Sequence, residues 1–197
     1  MERQVQQVWY QLPLFIALLS LIMGFLGGQF SGWLERRWER EAKAESLKVA
    51  FRGEINAIRN MLRVPATSAA KAWENGRVLK EYKVDYPRVI FEANAGHLGD
   101  LREHVLVGQI SMLYSSLERT QEIGRRLQNG VYGPEGFPQY VQLLVSCFDM
   151  AVHLDMRLTE QTKHFIELDW SVKVTGMDAE DHNWAVGVLK KLQEAKR

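Results

Sequence analysis

Cysteine occurs once, at Cys147, and proline only five times among 197 residues. A single thiol excludes an intramolecular disulfide, so the fold stands without covalent staples, and a reducing compartment suits it. Neither sign of charge dominates: 25 Lys and Arg face 24 Asp and Glu, a formal net charge of +1. Phosphate binding needs a concentrated basic surface, so no nucleic-acid partner is expected. Hydrophobic residues at 46% and charged residues at 25% exclude a disordered chain. The signatures of familiar catalysis are missing as well. There is no G-x-x-x-x-G-K-S/T phosphate loop, no dinucleotide fingerprint after a strand, no G-x-S-x-G elbow and no H-E-x-x-H helix. No catalytic residue and no cofactor is therefore expected, and an enzyme ranks last among the functional classes.

The strongest absence is local. From Gln4 to Leu34 there is no charged residue, and Leu12 to Phe30 is nearly continuous Leu, Ile, Phe, Ala, Met and Gly. A helix needs about 20 such residues to cross the hydrocarbon core of a bilayer. Trp9 and Tyr10 precede the run and Trp33 and Trp38 follow it, as amphipathic rings do at headgroup depth. Signal cleavage is not expected, because each small residue from Gly24 to Gly32 that could occupy position −1 has Ile22, Phe25, Leu26, Gln29 or Phe30 at −3. Arg3 and the terminal amine stand before the run, whereas Arg36, Arg37, Arg40, Lys43 and Lys48 stand after it. Lys and Arg are retained on the cytoplasmic side, so the N-terminus is expected outside and residues 35–197 inside, at the inner membrane. Trp9, Tyr10, Trp33, Arg36 and Arg37 are the expected interfacial anchors.

Ser20, Gly24, Gly28 and Gly32 recur every fourth residue within the run. Glycine in a helix costs roughly 1 kcal/mol relative to alanine, so three on one stripe need a compensating gain. In lipid, close backbone approach rather than hydrophobicity drives helices together, and small residues at this spacing permit it. The stripe is expected to be a helix–helix contact face, toward a second copy or another membrane subunit. Gln29 near its cytoplasmic end adds a hydrogen-bonding group.

Beyond Leu34 the apolar periodicity is helical throughout. Leu47, Phe51, Ile55, Ile58 and Leu62 form a stripe on a membrane-proximal amphipathic helix over 35–64, which Pro65 is expected to end. Ser68 is a candidate cap for a short helix through Tyr82, and Pro87 opens another. Leu106, Ile110, Leu113, Leu117, Thr120, Gly124 and Leu127 alternate spacings of four and three. So do Tyr140, Leu144, Cys147, Ala151, Leu154, Leu158, Gln161, Phe165 and Leu168. The intervening "QNGVYGPEGFP" stops one helix and starts the next, which predicts a long antiparallel hairpin with coiled-coil-like packing. A last helix from Asp178 buries Trp184, Val188, Leu189 and Leu192, and "SVKVTG" at 171–176 reads as a short strand without an obvious partner. The expected fold is all-α: a transmembrane segment over 1–34, the membrane-proximal helix over 35–64, and a cytoplasmic helical domain over 65–197.

The histidines are the remaining chemical candidates. His97 and His104 flank Asp100, while Asp149, His153, Glu160 and His164 share a helix face. A di-iron carboxylate site needs Glu-x-x-His pairs on core faces, and none occurs. Asp149, His153 and Glu160 lie off the hairpin seam with Arg157 among them, a cation that opposes a divalent ion; solvated acid–histidine pairs, and no metal, are expected. Gly96-x-x-Gly99 lacks the sheet and basic residues of an RNA-binding loop. Cys147 on the seam acts as a small hydrophobe.

The most individual stretch is "YPRVIFEANAGHLGDL", Tyr86 to Leu101. Pro87, Gly96 and Gly99 are expected to set a turn, Asp100 to cap the helix behind it, and Glu92 and Asn94 to satisfy helix-end backbone groups. With Tyr114 a little further on, this stretch resembles a P-x-x-[IV]-[FY]-E-A-N-A-G-x-L-G-x-L pattern of uncharacterised bacterial single-pass membrane proteins. The likeness covers about Asp85 to Ser116. It implies a bacterial origin and a stable helical module, and it brings no activity, substrate or catalytic residue.

The functional expectation is a non-enzymatic, membrane-anchored assembly or scaffold protein, homo-oligomeric or an accessory subunit of a larger membrane complex, with the lipid bilayer as its first partner. The alternative is a homo-oligomeric pore or membrane-permeabilising effector gated by the helical domain, for which Ser20, Gln29 and Ser31 are the only polar groups to line a path.

Overall fold

A computed structural model describes residues 2–162 and 177–195, with side chains described except at 2–16, 18, 19, 22, 26, 27, 161, 162, 177 and 178. Every regular element among the described residues is helical: α1 (Glu2–Glu74), α2 (Val89–Asn94), a 3-10 segment (Ala95–Leu101), α3 (His104–Gln128), a 3-10 turn (Pro134–Gly136), α4 (Phe137–Thr162) and α5 (Met177–Glu194). The possible strand at 171–176, and the expected seam positions Gln161, Phe165 and Leu168, lie outside the described residues or side chains. The chain divides into two compact units, Met1–Lys43 and Ala44–Arg197, and α1 contributes to both. Among the described residues no helix is long and apolar enough to cross a membrane; the charge-free run is helical, but many of its side chains lie outside them.

In the second unit α1, α3, α4 and α5 form a bundle. The stripe expected on α1 is its core face: Leu47, Phe51, Ile55, Ile58 and Leu62 are all buried. The helix does not end at Pro65. It continues to Glu74, although proline withholds an N–H and costs about 3 kcal/mol inside a helix. Ala66, Ala69 and Ala70 extend the buried stripe past the proline, and alanine is the strongest helix former, so packing and propensity together offset the lost bond. Termination comes at Asn75-Gly76 instead. Gly76 adopts φ +63, with its N–H bonded to Trp73 O and the Arg77 N–H to Ala72 O. That pair of bonds is a Schellman stop, which favours glycine at the left-handed position. Consequently Ser68 caps no helix, and residues 77–88 are non-helical.

This connector runs antiparallel to α3. The Tyr82 N–H donates to Gln128 Oε1 at 3.2 Å, Gln121 Nε2 donates to Val84 O at 2.6 Å, and Phe91 of α2 stacks on Tyr114 at 4.0 Å. Side chains of α3 bond two of its backbone groups, and the Tyr140 hydroxyl of α4 lies 3.4 Å from a third, Tyr82 O. α3 closes with the same device as α1, Gly130 at φ +69 sending its N–H to Leu127 O and Val131 its N–H to Arg126 O. α3 and α4 then pair as the expected antiparallel hairpin. Thr120 meets Cys147 near its middle, Gly124 meets Tyr140 nearer the turn, and Arg157 reaches Gln109 and Glu103 near the open end.

All seven expected α3 seam residues are buried, as are Tyr140, Leu144, Cys147, Ala151, Leu154 and Leu158 on α4. α4 also buries a second stripe, Val141, Val145, Phe148, Val152 and Asp155. Phe148 lies edge-on to Trp184 of α5 at 5.9 Å. Ala185, Val188 and Leu192 bury the inner face of α5.

Two outcomes follow from this packing. A Cβ at Gly124 would stand 2.6 Å from Tyr82 O and 3.1 Å from the Tyr140 ring, so Gly124→Ala is expected to destabilise the domain by roughly 1–3 kcal/mol in denaturant unfolding, overriding alanine's better helix propensity. Burial pushes the Cys147 thiol up to about 11; the thiolate is the reactive form, so a disulfide reagent at pH 8 is expected to leave it unmodified in the folded chain and to titrate one thiol after denaturation.

Candidate functional site

The expected contact face lies on α1 within the first unit. Ser20, Gly24 and Gly28 are exposed and Gly32 half-buried. A Cβ added at Gly24 or Gly28 would meet nothing within 4 Å, and at Gly32 only the Arg36 guanidinium at 3.9 Å, so among the described residues nothing in its own unit covers the stripe. The apolar residues around it are equally uncovered: Leu21 is 72% exposed, Phe25 66% and Phe30 62%. Its described large apolar residues are thus exposed within their own unit, whereas a helix apolar all round is ordinarily buried in protein or lipid.

At the C-terminal end of the run, Trp33 stacks on Phe30 with ring centroids 5.9 Å apart, and the Arg37 guanidinium lies 5.7 Å from its ring. Arg37 also pairs with Glu41 at 3.0 Å. Arg36 donates from Nε to Gly32 O at 3.2 Å, and Ser31 Oγ donates to Gly28 O at 3.0 Å. These bonds turn polar groups back along the helix instead of outward. Trp9 and Tyr10 belong to α1, with side chains outside the described set.

The Tyr86–Leu101 stretch is organised by a residue that sequence reading passed over. Glu54 on α1 is buried and accepts hydrogen bonds from the Ile90 N–H at 2.9 Å, the Phe91 N–H at 3.0 Å and the Tyr114 hydroxyl. It therefore serves as the anionic cap of α2 from another helix, where unpaired N–H groups favour a carboxylate. Burial, followed by the bond to Glu54, raises the Tyr114 hydroxyl well above its ordinary range, so Tyr114 stays a donor. Glu92 instead points outward and pairs with Arg88 at 2.8 Å. Asn94 donates to Ile90 O at 2.9 Å, satisfying a helix-end carbonyl. Pro87 is half-buried and precedes α2 by two residues. Gly96 and Gly99 sit in the 3-10 segment without positive φ; the left-handed position is Arg102, φ 57. Glu103, and not Asp100, takes the N-cap position of α3, and Asp100 lies 3.4 Å from His97 Nδ1. The signal for Glu54 was present: it falls between Phe51, Ile55 and Ile58, a carboxylate on a core stripe.

A second buried network joins three helices. Arg59 donates to Asp155 of α4 and to Asp181 of α5, each at 3.0 Å, and Asn56 donates to the same oxygen of Asp155 at 3.0 Å. Arg63 adds a 3.2 Å pair with Asp181. These charges hold the register of α1, α4 and α5.

Among the described residues, one group has a metal-compatible donor set, Asp149, His153 and His182. His182 comes from α5 and was outside the sequence expectation. Glu160 is exposed, and His164 lies outside the described residues. Arg157, the cation expected to oppose an ion, engages Gln109 at 3.0 Å and Glu103 at 3.3 Å on α3.

No protein-family model, curated protein or solved structure matches the chain.

Removing the Glu54 carboxylate leaves two backbone donors and a hydroxyl without an acceptor. Glu54→Ala is expected to cost on the order of 3–5 kcal/mol, and Tyr114→Phe about 1.5–3. In a double-mutant cycle by chemical denaturation, the cost of Tyr114→Phe should shrink sharply in the Glu54→Ala background.

Proposed function

We propose that this chain is a membrane-anchored helical scaffold: a single-pass inner-membrane protein, N-terminus outward, whose helical domain stands in the cytoplasm and whose anchor associates through Ser20, Gly24, Gly28 and Gly32. The observation that carries the reading is the uncovered apolar surface of α1 before Lys43. Leu21, Met23, Phe25 and Phe30 are all exposed around a glycine stripe that nothing in its own unit approaches. Such surface is costly in water at about 25 cal/mol per Å² of apolar area, and exposed apolar patches of this kind mark membrane or protein contacts. Lipid covers the large side chains; a second copy covers the glycines, because only helix backbones in close approach recover the propensity that glycine forfeits. Trp33 and Arg37 form the interfacial collar, and the basic residues from Arg36 onward set the orientation. The buried networks of the second unit supply a rigid domain to hold or space partners, with no catalytic constellation invoked.

The test uses the full-length chain in its membrane. It is expected to stay with the membrane through alkaline carbonate washing, and mild detergent is expected to release a defined oligomer, seen by mass photometry. Gly28→Ile, which obstructs backbone approach, should shift that oligomer toward monomer at least several-fold. Release by carbonate overturns the anchor, and an unchanged oligomer distribution in Gly28→Ile overturns the contact face.

A further inference from the structure

The cluster on the α4–α5 side of the bundle is the strongest unassigned chemistry in the molecule. Asp149 and His153 stand one helical turn apart on α4, and α5 sets His182 beside both. His182 Nδ1 lies 2.7 Å from Asp149 Oδ1, and His153 Nε2 lies 4.0 Å from the same oxygen. The imidazole centroids are 4.4 Å apart with ring planes crossing at 69°. One donor atom from each of the three residues falls within 4.8 Å of the others.

Two imidazoles and a carboxylate are the ligand set of zinc and its first-row divalent neighbours. Metal–ligand bonds of about 2.0–2.2 Å hold neighbouring donor atoms about 3–3.5 Å apart around one ion. The His182–Asp149 pair is already near that separation. His153 closes the rest by rotating a side chain that is 54% exposed. At 4.0 Å His153 makes no hydrogen bond to Asp149; the i,i+4 spacing on α4 brings the two within reach, while α5 supplies the second ring from elsewhere in the chain. One ion would engage all three donors at once, since it binds neutral imidazoles and tolerates their crowding. Arg157 does not oppose it, being engaged by Gln109 and Glu103 of α3.

We propose that Asp149, His153 and His182 bind one first-row divalent transition-metal ion, with zinc its simplest representative, which clamps α5 to α4 and keeps its remaining coordination positions open to solvent. Three protein ligands with an open position describe a site that can bind a further ligand, unlike a closed four-ligand structural site. The proposal stands on the second unit alone and is independent of the membrane anchor.

The untagged full chain is titrated with Zn²⁺ by calorimetry and with Co²⁺ by visible absorption. One ion per chain is expected, with Co²⁺ bands typical of nitrogen and oxygen ligands and a rise in thermal midpoint on adding Zn²⁺. His153→Ala, at an exposed position, should leave the metal-free midpoint unchanged, weaken binding at least about tenfold and abolish the Zn²⁺-induced rise. Asp149→Asn should weaken binding likewise, and His97→Ala should leave it intact. The proposal is overturned by an absence of saturable uptake of either ion, or by uptake that His153→Ala and Asp149→Asn leave undiminished.

Discussion

A carboxylate withdrawn from water must be supplied with hydrogens, and Glu54 obtains three of them from two different elements. Two backbone N–H groups at the start of α2 and the Tyr114 hydroxyl of α3 converge on it. That single requirement fixes where the connector returns along the bundle. Residues 77–88 are non-helical, and their course is defined by α3 side chains along the way and by Glu54 at the end. Phe91 completes the arrangement by stacking on Tyr114, so a polar demand and an apolar contact select the same register.

Burial of charge recurs as the ordering principle between helices. Arg59 reaches Asp155 and Asp181 on two other elements. Ion pairs of this kind add little net stability compared with apolar packing, but removing one partner strands the others. Their effect is to penalise wrong registers of α5, which is joined to α4 through residues 163–176. The His182–Asp149 contact acts on the same pair of helices. α5 is thus held by directional groups as well as by Ala185, Val188 and Leu192, which would tolerate sliding.

The two units obey opposite rules. After Ala44 the apolar residues of α1 are buried at helical spacing, with Phe51, Ile55, Ile58 and Leu62 fully enclosed. Before Lys43 the large apolar residues Leu21, Met23, Phe25, Phe30, Trp33 and Trp38 are exposed, and Leu34 is half-buried. Periodicity in the first case reports a protein core on one side; in the second, the described apolar positions do not gather on one such face, the arrangement on which the proposed membrane anchor rests. Pro65 belongs to the same lesson. A helix interior rejects proline by about 3 kcal/mol, and enclosure of the flanking leucine and alanines outweighs that.

Much of the bundle was legible in one dimension because amphipathic spacing is a local property. The α3 and α4 seams, the Asn129-Gly130 stop and the hairpin turn follow from residues within a turn or two of one another, whereas the Asn75-Gly76 stop was hidden behind Pro65, where the sequence pointed to an earlier end of α1. In the candidate contact face, likewise, Ser20, Gly24, Gly28 and Gly32 are recognised by spacing alone. Other features depend on residues far apart in the chain. Glu54 is a cap only because α2 comes to rest on it, 36 residues later. On the second buried stripe of α4, Phe148 meets Trp184 of α5 and Asp155 meets Asn56 and Arg59 of α1, and His182 joins Asp149 from 33 residues away. Sequence periodicity determines which face of each helix avoids water. Which polar group meets which is decided by tertiary packing, because a hydrogen bond or a shared ion depends on ångström-scale distances that no single helix contains.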